Sequence, residues 1–158
     1  MNRVGIGIDV HQFVEGRPLV IGGVRISHEM GLKGHSDADV LAHAVADALL
    51  GAAALGDIGK FYPDTDQKLK GMDSMIIVRE VAEKLRALGA RIVNVDATVV
   101  AQVPRLAPHI PKMQDTLARN LGVAPAQVGI KATTSEWMGF TGRKEGIVTV
   151  AVASVEMP

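Results

Sequence analysis

Hydrophobic and polar positions predict strands at both ends of the chain. The first segments, RVGIGIDV and PLVIGGVRIS, are rich in Val and Ile and are broken by glycine. The second predicts a hairpin that turns at Gly22 and Gly23. Three later segments alternate and are β-branched, which predicts further strands in RIVNVDATVVAQ, QVGIKATT and GIVTVAVASVEM.

Helical spacing of apolar residues appears in three segments. ADVLAHAVADALLGAAAL predicts a helix from Ala38 to Leu55, with Ser36 or Asp37 placed as its N-cap. SMIIVREVAEKLRALG and PHIPKMQDTLARNLG predict two more helices, each closed by a glycine. Between the first two, GDIGKFYPDTDQKLKGMDS lacks apolar periodicity and predicts a long functional loop. The order β-β-β-α-α-β-α-β-β predicts an α+β fold with helices packed on one face of a sheet.

Composition narrows the class of protein. The 158 residues fit a single domain spanning 1–158, and the 17 basic residues balance the 17 acidic ones, so no global field favours nucleic acid or a membrane surface. The absence of cysteine excludes disulfides, thiolate ligands and a cysteine nucleophile. No basic leader and no run near the ~20 apolar residues of a membrane span is present, which predicts a soluble cytoplasmic protein. The positive mean hydropathy suggests apolar surface buried between subunits.

Three residues could form a metal site. Asp9 and His11 stand two apart at the predicted end of the first strand, so both side chains project from one face; a solvated strand end is the plain alternative. His43 lies between Asp39 and Asp47 on one face of an otherwise apolar helix, either as a satisfied core residue or as a third ligand. Three N/O ligands with one open position are typical of catalytic zinc, and two imidazoles favour zinc over magnesium.

Polar residues in the loops offer further chemistry beside ordinary structural roles. His35 and Ser36 precede the first predicted helix, where they and its N-terminal amides could face an anion or Ser36 could only cap the helix. Asp57, Asp64 and Asp66 suit the hydroxyls of a polyol, or make local turns.

Two strand ends and a glycine-rich turn complete the candidates. Glu136 closes KATTSE and could bind a hard cation through oxygen. In AQVPRLAP, backbone groups around Pro104 and the cation of Arg105 could hold a ring edge or a phosphate. GFTGRKEG lacks the spacing of a P-loop or a dinucleotide fingerprint, so turn chemistry explains its glycines, although Arg143 could still bind an anion.

Four motifs in order resemble the 2-C-methyl-D-erythritol 2,4-cyclodiphosphate synthase family: DVHQF, GHSDADVLAHAVADALLGAAALGDIGKFYPDTD, AQVPRLAPHI and KATTSEWMGFTGRKEGI. The resemblance runs over nearly the whole chain, and the long central motif is very specific. It implies a phosphorus-oxygen lyase of the methylerythritol phosphate route to isoprenoids. Such an enzyme converts 4-diphosphocytidyl-2-C-methyl-D-erythritol 2-phosphate to 2-C-methyl-D-erythritol 2,4-cyclodiphosphate and releases CMP, by metal-assisted attack of the 2-phosphate on the β-phosphorus.

The resemblance also implies a role for each motif. The implied ligands of zinc, or of another divalent transition metal, are Asp9, His11 and His43. Glu136 would hold Mg²⁺ or Mn²⁺ against the substrate diphosphate. His35 and Thr134 would be the catalytic hydrogen-bond donors. The implied substrate-binding residues are Ser36 for phosphate, then Asp57, Ile58, Gly59, Tyr62, Pro63, Asp64, Thr65 and Asp66 for methylerythritol, and Ala101, Gln102, Val103, Pro104, Arg105, Leu106, Ala107, Thr133 and Ser135 for cytidine diphosphate.

Family membership further implies a homotrimer in which one subunit supplies the zinc ligands and its neighbour the cytidine pocket. An apolar channel on the threefold axis would contain Phe140 and Arg143 and bind an isoprenoid diphosphate. The chain departs from the family pattern at Arg105, often lysine, at Val103, often alanine, and at Trp137, usually lysine. Arg105 keeps the charge as a planar fork, so the pocket rim is expected to differ.

Two alternative functions remain open on the sequence. A metal-dependent nucleotide diphosphate hydrolase would use the same metals to activate water, and its products would include no cyclic diphosphate. A non-catalytic trimeric protein that binds isoprenoid diphosphate would hold a structural metal. Closed zinc sites have four protein ligands, whereas this sequence offers three obvious ones.

Overall fold

A five-stranded mixed sheet is the centre of the computed structural model, which describes residues 1–158. The strands are β1 (Asn2–Val14), β2 (Leu19–Ile21), β3 (Val24–Ile26), β4 (Gly31–Leu32), β5 (Arg91–Val100), β6 (Val128–Thr133) and β7 (Gly146–Glu156). The sheet order is β4-β1-β7-β5-β6, and β2 and β3 form a separate hairpin that turns at Gly22 and Gly23 as predicted. Only β5 and β6 run parallel, because the helical crossover between them returns the chain to the same edge.

The helices pack on one face of this sheet, which confirms the predicted α+β architecture. They are α1 (Val40–Ala52), α2 (Ile58–Phe61), α3 (Ser74–Ala87), α4 (Ile110–Leu121) and α5 (Gly139–Gly142). Forty buried apolar residues form one cluster between the helices and the sheet. None of these helices has the length and apolarity that crossing a bilayer requires.

The structure differs from the predicted boundaries around the candidate site. The first helix begins at Val40 and not at Ala38, because Asp39 and not Ser36 or Asp37 is its N-cap. Strand β1 continues to Val14 because its last residues pair with β4, which lies in a segment predicted to be a loop. Asp9 and His11 therefore lie within a strand and not at its end.

Asp39 joins the β2–β3 hairpin to the start of α1. One carboxylate oxygen accepts the N–H groups of Leu41 and Ala42, as an N-cap does, and also that of Gly22 at 2.8 Å. The other oxygen accepts the N–H of Gly23 at 2.7 Å. The amides of Leu41 and Ala42 are consequently not available to an anion, contrary to the sequence-based expectation.

Helix α1 lies on β1 at backbone contact. A Cβ atom added to Gly5 would stand 2.1 Å from the carbonyl oxygen of Ala48, and one added to Gly7 would stand 2.0 Å from that of Ala44. Both distances are far below van der Waals contact. Strand β1 can therefore accommodate the helix only because these two positions carry no side chain.

The opposite face of the sheet is apolar and exposed. Alternation along β1 directs Val4, Ile6, Ile8 and Val10 away from α1, and these side chains are 69%, 62%, 58% and 51% exposed. Val152 on the adjacent β7 extends the patch. A contiguous apolar surface of this kind marks an interaction site.

We expect Gly7→Ala and Gly51→Ala to change stability in opposite directions. At Gly7 the methyl group would push α1 off β1 and lower the free energy of unfolding by about 1–3 kcal/mol. Gly51 lies in α1, and the atoms nearest to a Cβ added there are 3.9 Å away. Alanine there would raise the free energy of unfolding by about 0.5–1 kcal/mol through its higher helix propensity. Urea unfolding at one fixed chain concentration measures both; equal effects would contradict the backbone contact.

Candidate active site

Asp9, His11 and His43 converge at one point between β1 and α1. The Asp9 Oδ2 atom is 2.8 Å from His11 Nε2 and 3.1 Å from His43 Nδ1. The two ring nitrogens are 3.3 Å apart. The sequence brought Asp9 and His11 together by strand spacing, and the packing of α1 on the glycines of β1 adds His43.

The remaining ring nitrogens of both histidines are occupied by other groups. His11 Nδ1 lies 2.6 Å from the carbonyl oxygen of Lys33, which can only accept, so this nitrogen carries the proton. His43 Nε2 lies 2.8 Å from the Ser74 hydroxyl, and that hydroxyl donates in turn to Asp37. His43 Nε2 therefore donates to Ser74. Both histidines then turn a lone pair towards Asp9.

A divalent cation fits this arrangement. Two imidazole lone pairs and one carboxylate oxygen lie within 4.8 Å of one another, with no proton required between them. Facing lone pairs repel unless a cation lies between them. Nitrogen and oxygen donors of this type suit zinc, and three protein ligands leave one coordination position open.

Ser74 and Asp37 support the His43 ligand and were missed by the sequence analysis. The Ser74 side chain is fully buried, and its backbone N–H also donates to Asp37 at 3.0 Å. Hydrogen-bonded partners of this kind fix the tautomer and the ring orientation of a metal-bound histidine. The sequence signal was weak, because a serine at the first residue of a helix ordinarily serves the helix end.

The electrostatics of the metal-free cluster follow from the Asp9 carboxylate. Burial disfavours the imidazolium of His11, but the hydrogen bond and charge of Asp9 outweigh it and raise the pKa of His11. Burial likewise raises the pKa of Asp9, but the hydrogen bonds that His11 and His43 donate to it when the ring nitrogens facing Asp9 carry protons outweigh burial and lower that pKa. Protons and a metal ion therefore compete for Asp9 and His11.

The cluster opens into a cavity of about 480 Å³. Most of the residues predicted for phosphate and methylerythritol line it beside the three ligands, namely His35, Ser36, Ile58, Gly59, Tyr62, Pro63, Asp64 and Thr65. The remaining lining residues are Gly34, Leu69, Met72 and Ile77. No lysine or arginine of this chain contributes to the wall.

Two predicted aspartates use their side chains locally. Asp57 caps α2 by accepting the N–H of Lys60 at 3.0 Å, and Asp66 accepts the N–H of Lys68 at 3.0 Å. Neither residue is among those that line the cavity. His35 donates from Nε2 to the backbone oxygen of Asp66 at 2.7 Å. This bond fixes the position of Asp66 in the loop between α1 and α3.

The residues predicted for cytidine diphosphate lie elsewhere. Ten residues from two segments line a second cavity of about 490 Å³, namely Ala101, Gln102, Val103, Pro104, Arg105, Leu106, Ala107, Ala132, Thr133 and Thr134. The two cavities share no lining residue. One chain therefore holds the metal cluster and the candidate cytidine pocket as separate sites.

The segment after β6 is held in an unusual backbone conformation. Glu136 and Trp137 have φ values of 53° and 64°, a left-handed region that costs L-residues about 1–2 kcal/mol each. The N–H of Trp137 donates to Gln102 at 3.2 Å, and the N–H of Glu136 to the Thr134 hydroxyl at 3.2 Å. The Ser135 hydroxyl donates to the Met138 carbonyl oxygen and accepts from the Thr141 hydroxyl. The turn is therefore held internally and joined to the second cavity through Gln102, while the Glu136 side chain stays exposed.

Of the two residues implied for a channel, Phe140 lies near β1. Phe140 lines a small cavity of about 250 Å³ together with Val10, His11 and Gln12, close to the exposed apolar face. Arg143 forms an exposed ion pair with Glu145 at 2.8 Å. The hydrogen bond and the charge of Glu145 raise the pKa of Arg143. The hydrogen bond and the charge of Arg143 in turn hold the pKa of Glu145 below its usual value.

Comparison with known proteins agrees with this geometry. The YgbB family matches residues 2–156. The 2-C-methyl-D-erythritol 2,4-cyclodiphosphate synthase of Syntrophomonas wolfei is 57% identical over 154 residues, which cover 98% of both chains. A structure of 2C-methyl-D-erythritol-2,4-cyclodiphosphate synthase in its CDP-bound form has a TM-score of 0.88 and 34% identity, covering 98% of this chain and 100% of that one.

A longer protein contains the same fold. The bifunctional IspDF from Campylobacter jejuni matches all of this chain with a TM-score of 0.96 and 45% identity, and this chain spans 43% of its length. The family match covers nearly every residue, and the curated relative aligns over almost its whole length. This chain therefore belongs to the YgbB family, which confirms the cyclodiphosphate synthase resemblance of its motifs.

Proposed function

We propose that this chain converts 4-diphosphocytidyl-2-C-methyl-D-erythritol 2-phosphate to 2-C-methyl-D-erythritol 2,4-cyclodiphosphate and CMP, as a phosphorus-oxygen lyase of the methylerythritol phosphate pathway. The observation that carries the proposal is the cluster of Asp9, His11 and His43 in the lining of one cavity. The same cavity is lined by residues that the family resemblance implies for phosphate and methylerythritol. The 57% identity to a named synthase supports the same reaction. A charged nucleotide substrate does not cross bilayers, which favours the cytoplasm as its compartment.

The reaction needs little covalent chemistry from the protein. An oxygen of the substrate's 2-phosphate forms a bond to the β-phosphorus, the bond from that phosphorus to the α-phosphate oxygen breaks, and CMP leaves. The attacking phosphate is already ionised near neutral pH, so no general base is required. The chain must instead fold the substrate back on itself and stabilise the negative charge of the transition state.

The proposed cations would supply charge stabilisation. Zn²⁺ held by Asp9, His11 and His43 and Mg²⁺ or Mn²⁺ held by Glu136 would polarise the diphosphate and neutralise the leaving CMP. His35 and Thr134 are the proposed hydrogen-bond donors to the transition state. Losing one such donor typically costs about 3 kcal/mol, or ~10² to 10³ in rate.

The walls of the two cavities would bind the ends of the substrate. Ser36 and His35 would contact phosphate, and the loop between α1 and α3 would contact methylerythritol through the residues that line the cavity, namely Ile58, Gly59, Tyr62, Pro63, Asp64 and Thr65. Asp57 and Asp66, proposed for the same group, lie outside the cavity wall at the two ends of this segment. The second cavity would hold the cytidine diphosphate, together with Ser135. Structural zinc sites are closed by four protein ligands, whereas this cluster offers three and would leave one coordination position open. This difference argues against a protein that only binds isoprenoid diphosphate.

A homotrimer would bring the two cavities together. One domain of residues 1–158 carries both, but no residue lines both cavities, so the two ends of the substrate are proposed to bind at cavities of neighbouring subunits. The exposed apolar face of β1 and β7 supplies the surface for association. We infer that the metal cavity of one subunit faces the cytidine cavity of the next, and that Phe140 and Arg143 lie at a channel that accepts an isoprenoid diphosphate.

Phosphorus NMR of the purified protein tests the reaction. With the proposed substrate, magnesium and zinc, we expect cyclic diphosphate and CMP, abolished by a chelator and restored by metal. His43→Ala should lose zinc and turnover together while the chain stays folded, whereas His109→Ala should keep both. An open-chain product with CMP would indicate the hydrolase, and unchanged substrate with folded, zinc-loaded protein would indicate the binding protein.

Glu136→Gln tests the second cation site. Removing the charge of this exposed carboxylate should raise the magnesium concentration required for half-maximal turnover by about tenfold, since magnesium prefers charged oxygen ligands. Zinc content, measured by atomic absorption, should not change. The matched control is Glu145→Gln, which removes another exposed carboxylate, nine residues further along the chain, and should leave the magnesium titration as it was. A titration identical to that of the parent would exclude Glu136 from the role.

Ile6→Glu tests the subunit interface. A charge in the centre of the exposed apolar face should convert the trimer to monomers in sedimentation velocity and reduce turnover at least a hundredfold, while zinc binding is retained because all three ligands belong to one chain. Leu88→Glu alters another exposed apolar residue, at the end of α3 and away from this face, and should change neither property. Full activity in an Ile6→Glu monomer would contradict a composite site.

A further inference from the structure

Two contacts join helix α3 to the loop between α1 and α3, whose residues 58–65 contribute to the wall of the metal cavity. The Tyr62 hydroxyl donates to the Glu80 carboxylate, which is half-buried on α3. Burial and the adjacent carboxylate raise the pKa of Tyr62, so the phenol remains a donor. The ring of Phe61 lies beneath the ammonium groups of Lys60 and Lys84, at 5.4 Å and 5.0 Å. We call the contacts of Glu80 and Lys84 with Tyr62 and Phe61 the clasp.

Helix α3 gives the clasp a rigid base. Val78, Val81 and Leu85 on its inner face are fully buried in the core. The same helix begins at Ser74, the residue that accepts from the His43 ring. Glu80 lies six residues further on, roughly 9 Å along the helix axis. One rigid element therefore sets the position of the metal ligand relative to the loop.

The middle of the loop has few other hydrogen bonds, although Phe61 and Tyr62 also pack against the core. Its start is fixed where the Ile58 N–H donates to Asp47 at 2.7 Å, and its end where His35 donates to the Asp66 oxygen at 2.7 Å. Apart from the Lys60 ammonium, which donates to the Leu55 oxygen at 3.1 Å, the bond to Glu80 is the one hydrogen bond from residues 59–65 that reaches beyond residues 57–66. These residues include Tyr62 and the next three, which line the metal cavity.

We propose that Glu80, assisted by Lys84, is a positioning residue for substrate binding. Through the clasp it holds Tyr62 and residues 63–65 against the metal cavity, in the arrangement that receives the methylerythritol end of the substrate. This inference rests on the proposed function and assigns a role to two residues that lie outside both cavities. Because Glu80 acts on binding and not on the phosphates, its loss affects KM and not kcat.

Steady-state kinetics and amide exchange on Glu80→Ala test the clasp. We expect KM to rise about tenfold with kcat within about twofold, the range for one lost hydrogen bond to a charged group. In zinc-loaded protein without substrate, exchange of the backbone amides of residues 59–62, 64 and 65 should rise about tenfold, while exchange in α1 and β1 is unchanged. Glu80→Gln keeps an acceptor oxygen and should restore most of both properties. Glu83→Ala removes an exposed carboxylate from the same helix and should match the parent.

Several outcomes would overturn the proposal. Exchange of residues 59–65 that matches the parent in Glu80→Ala would exclude the clasp, and increased exchange with an unchanged KM would exclude the positioning role. A drop in kcat with KM unchanged would also overturn it. Zinc content equal to the parent's verifies that the variant is folded. If the parent itself makes no cyclic diphosphate, the proposed function fails, and the exchange comparison without substrate still decides the clasp.

Discussion

The contact between the backbones of β1 and α1 is the constraint on which the site depends. Gly5 and Gly7 let the helix approach until a methyl group would not fit, and the next two residues on the same strand face are Asp9 and His11. The helix therefore lies close enough for His43 to reach them. A larger separation would move one imidazole away from the other two ligand atoms. The strand thus sets both the spacing of the layers and the composition of the cluster.

Much of this arrangement could be predicted from local sequence. Strand periodicity placed Asp9 and His11 on one face, and the helical segment placed His43 in a buried stripe. The residue at which α1 begins could not be predicted from the sequence, because Ser36, Asp37 and Asp39 are all residue types that cap helices well. Asp39 is selected because its carboxylate also accepts hydrogen bonds from the β2–β3 hairpin. The family motifs, and not periodicity, indicated the residues that line the second cavity.

Contacts between distant segments were beyond sequence reasoning. Ser74 lies 31 positions from His43, and its hydroxyl has a role only once α3 packs beside α1. The clasp joins residues 18 positions apart through side chains that are unremarkable in isolation. In both cases α3 presents a polar group to a site formed by other elements. Its buried apolar stripe predicts the helix, but the groups at its margin acquire meaning only from what they face.

The wall of the metal cavity contains acidic groups but no lysine or arginine of the same chain. The N-terminal amides of α1 are also occupied, by Asp39. A substrate with several phosphate charges therefore finds no fixed positive charge from this chain at the metal cavity. Under the proposed function, divalent ions at the cluster would compensate for part of that repulsion, so the supply of metal would affect substrate affinity as well as turnover. Under metal limitation, flux through this step would fall before the amount of enzyme does.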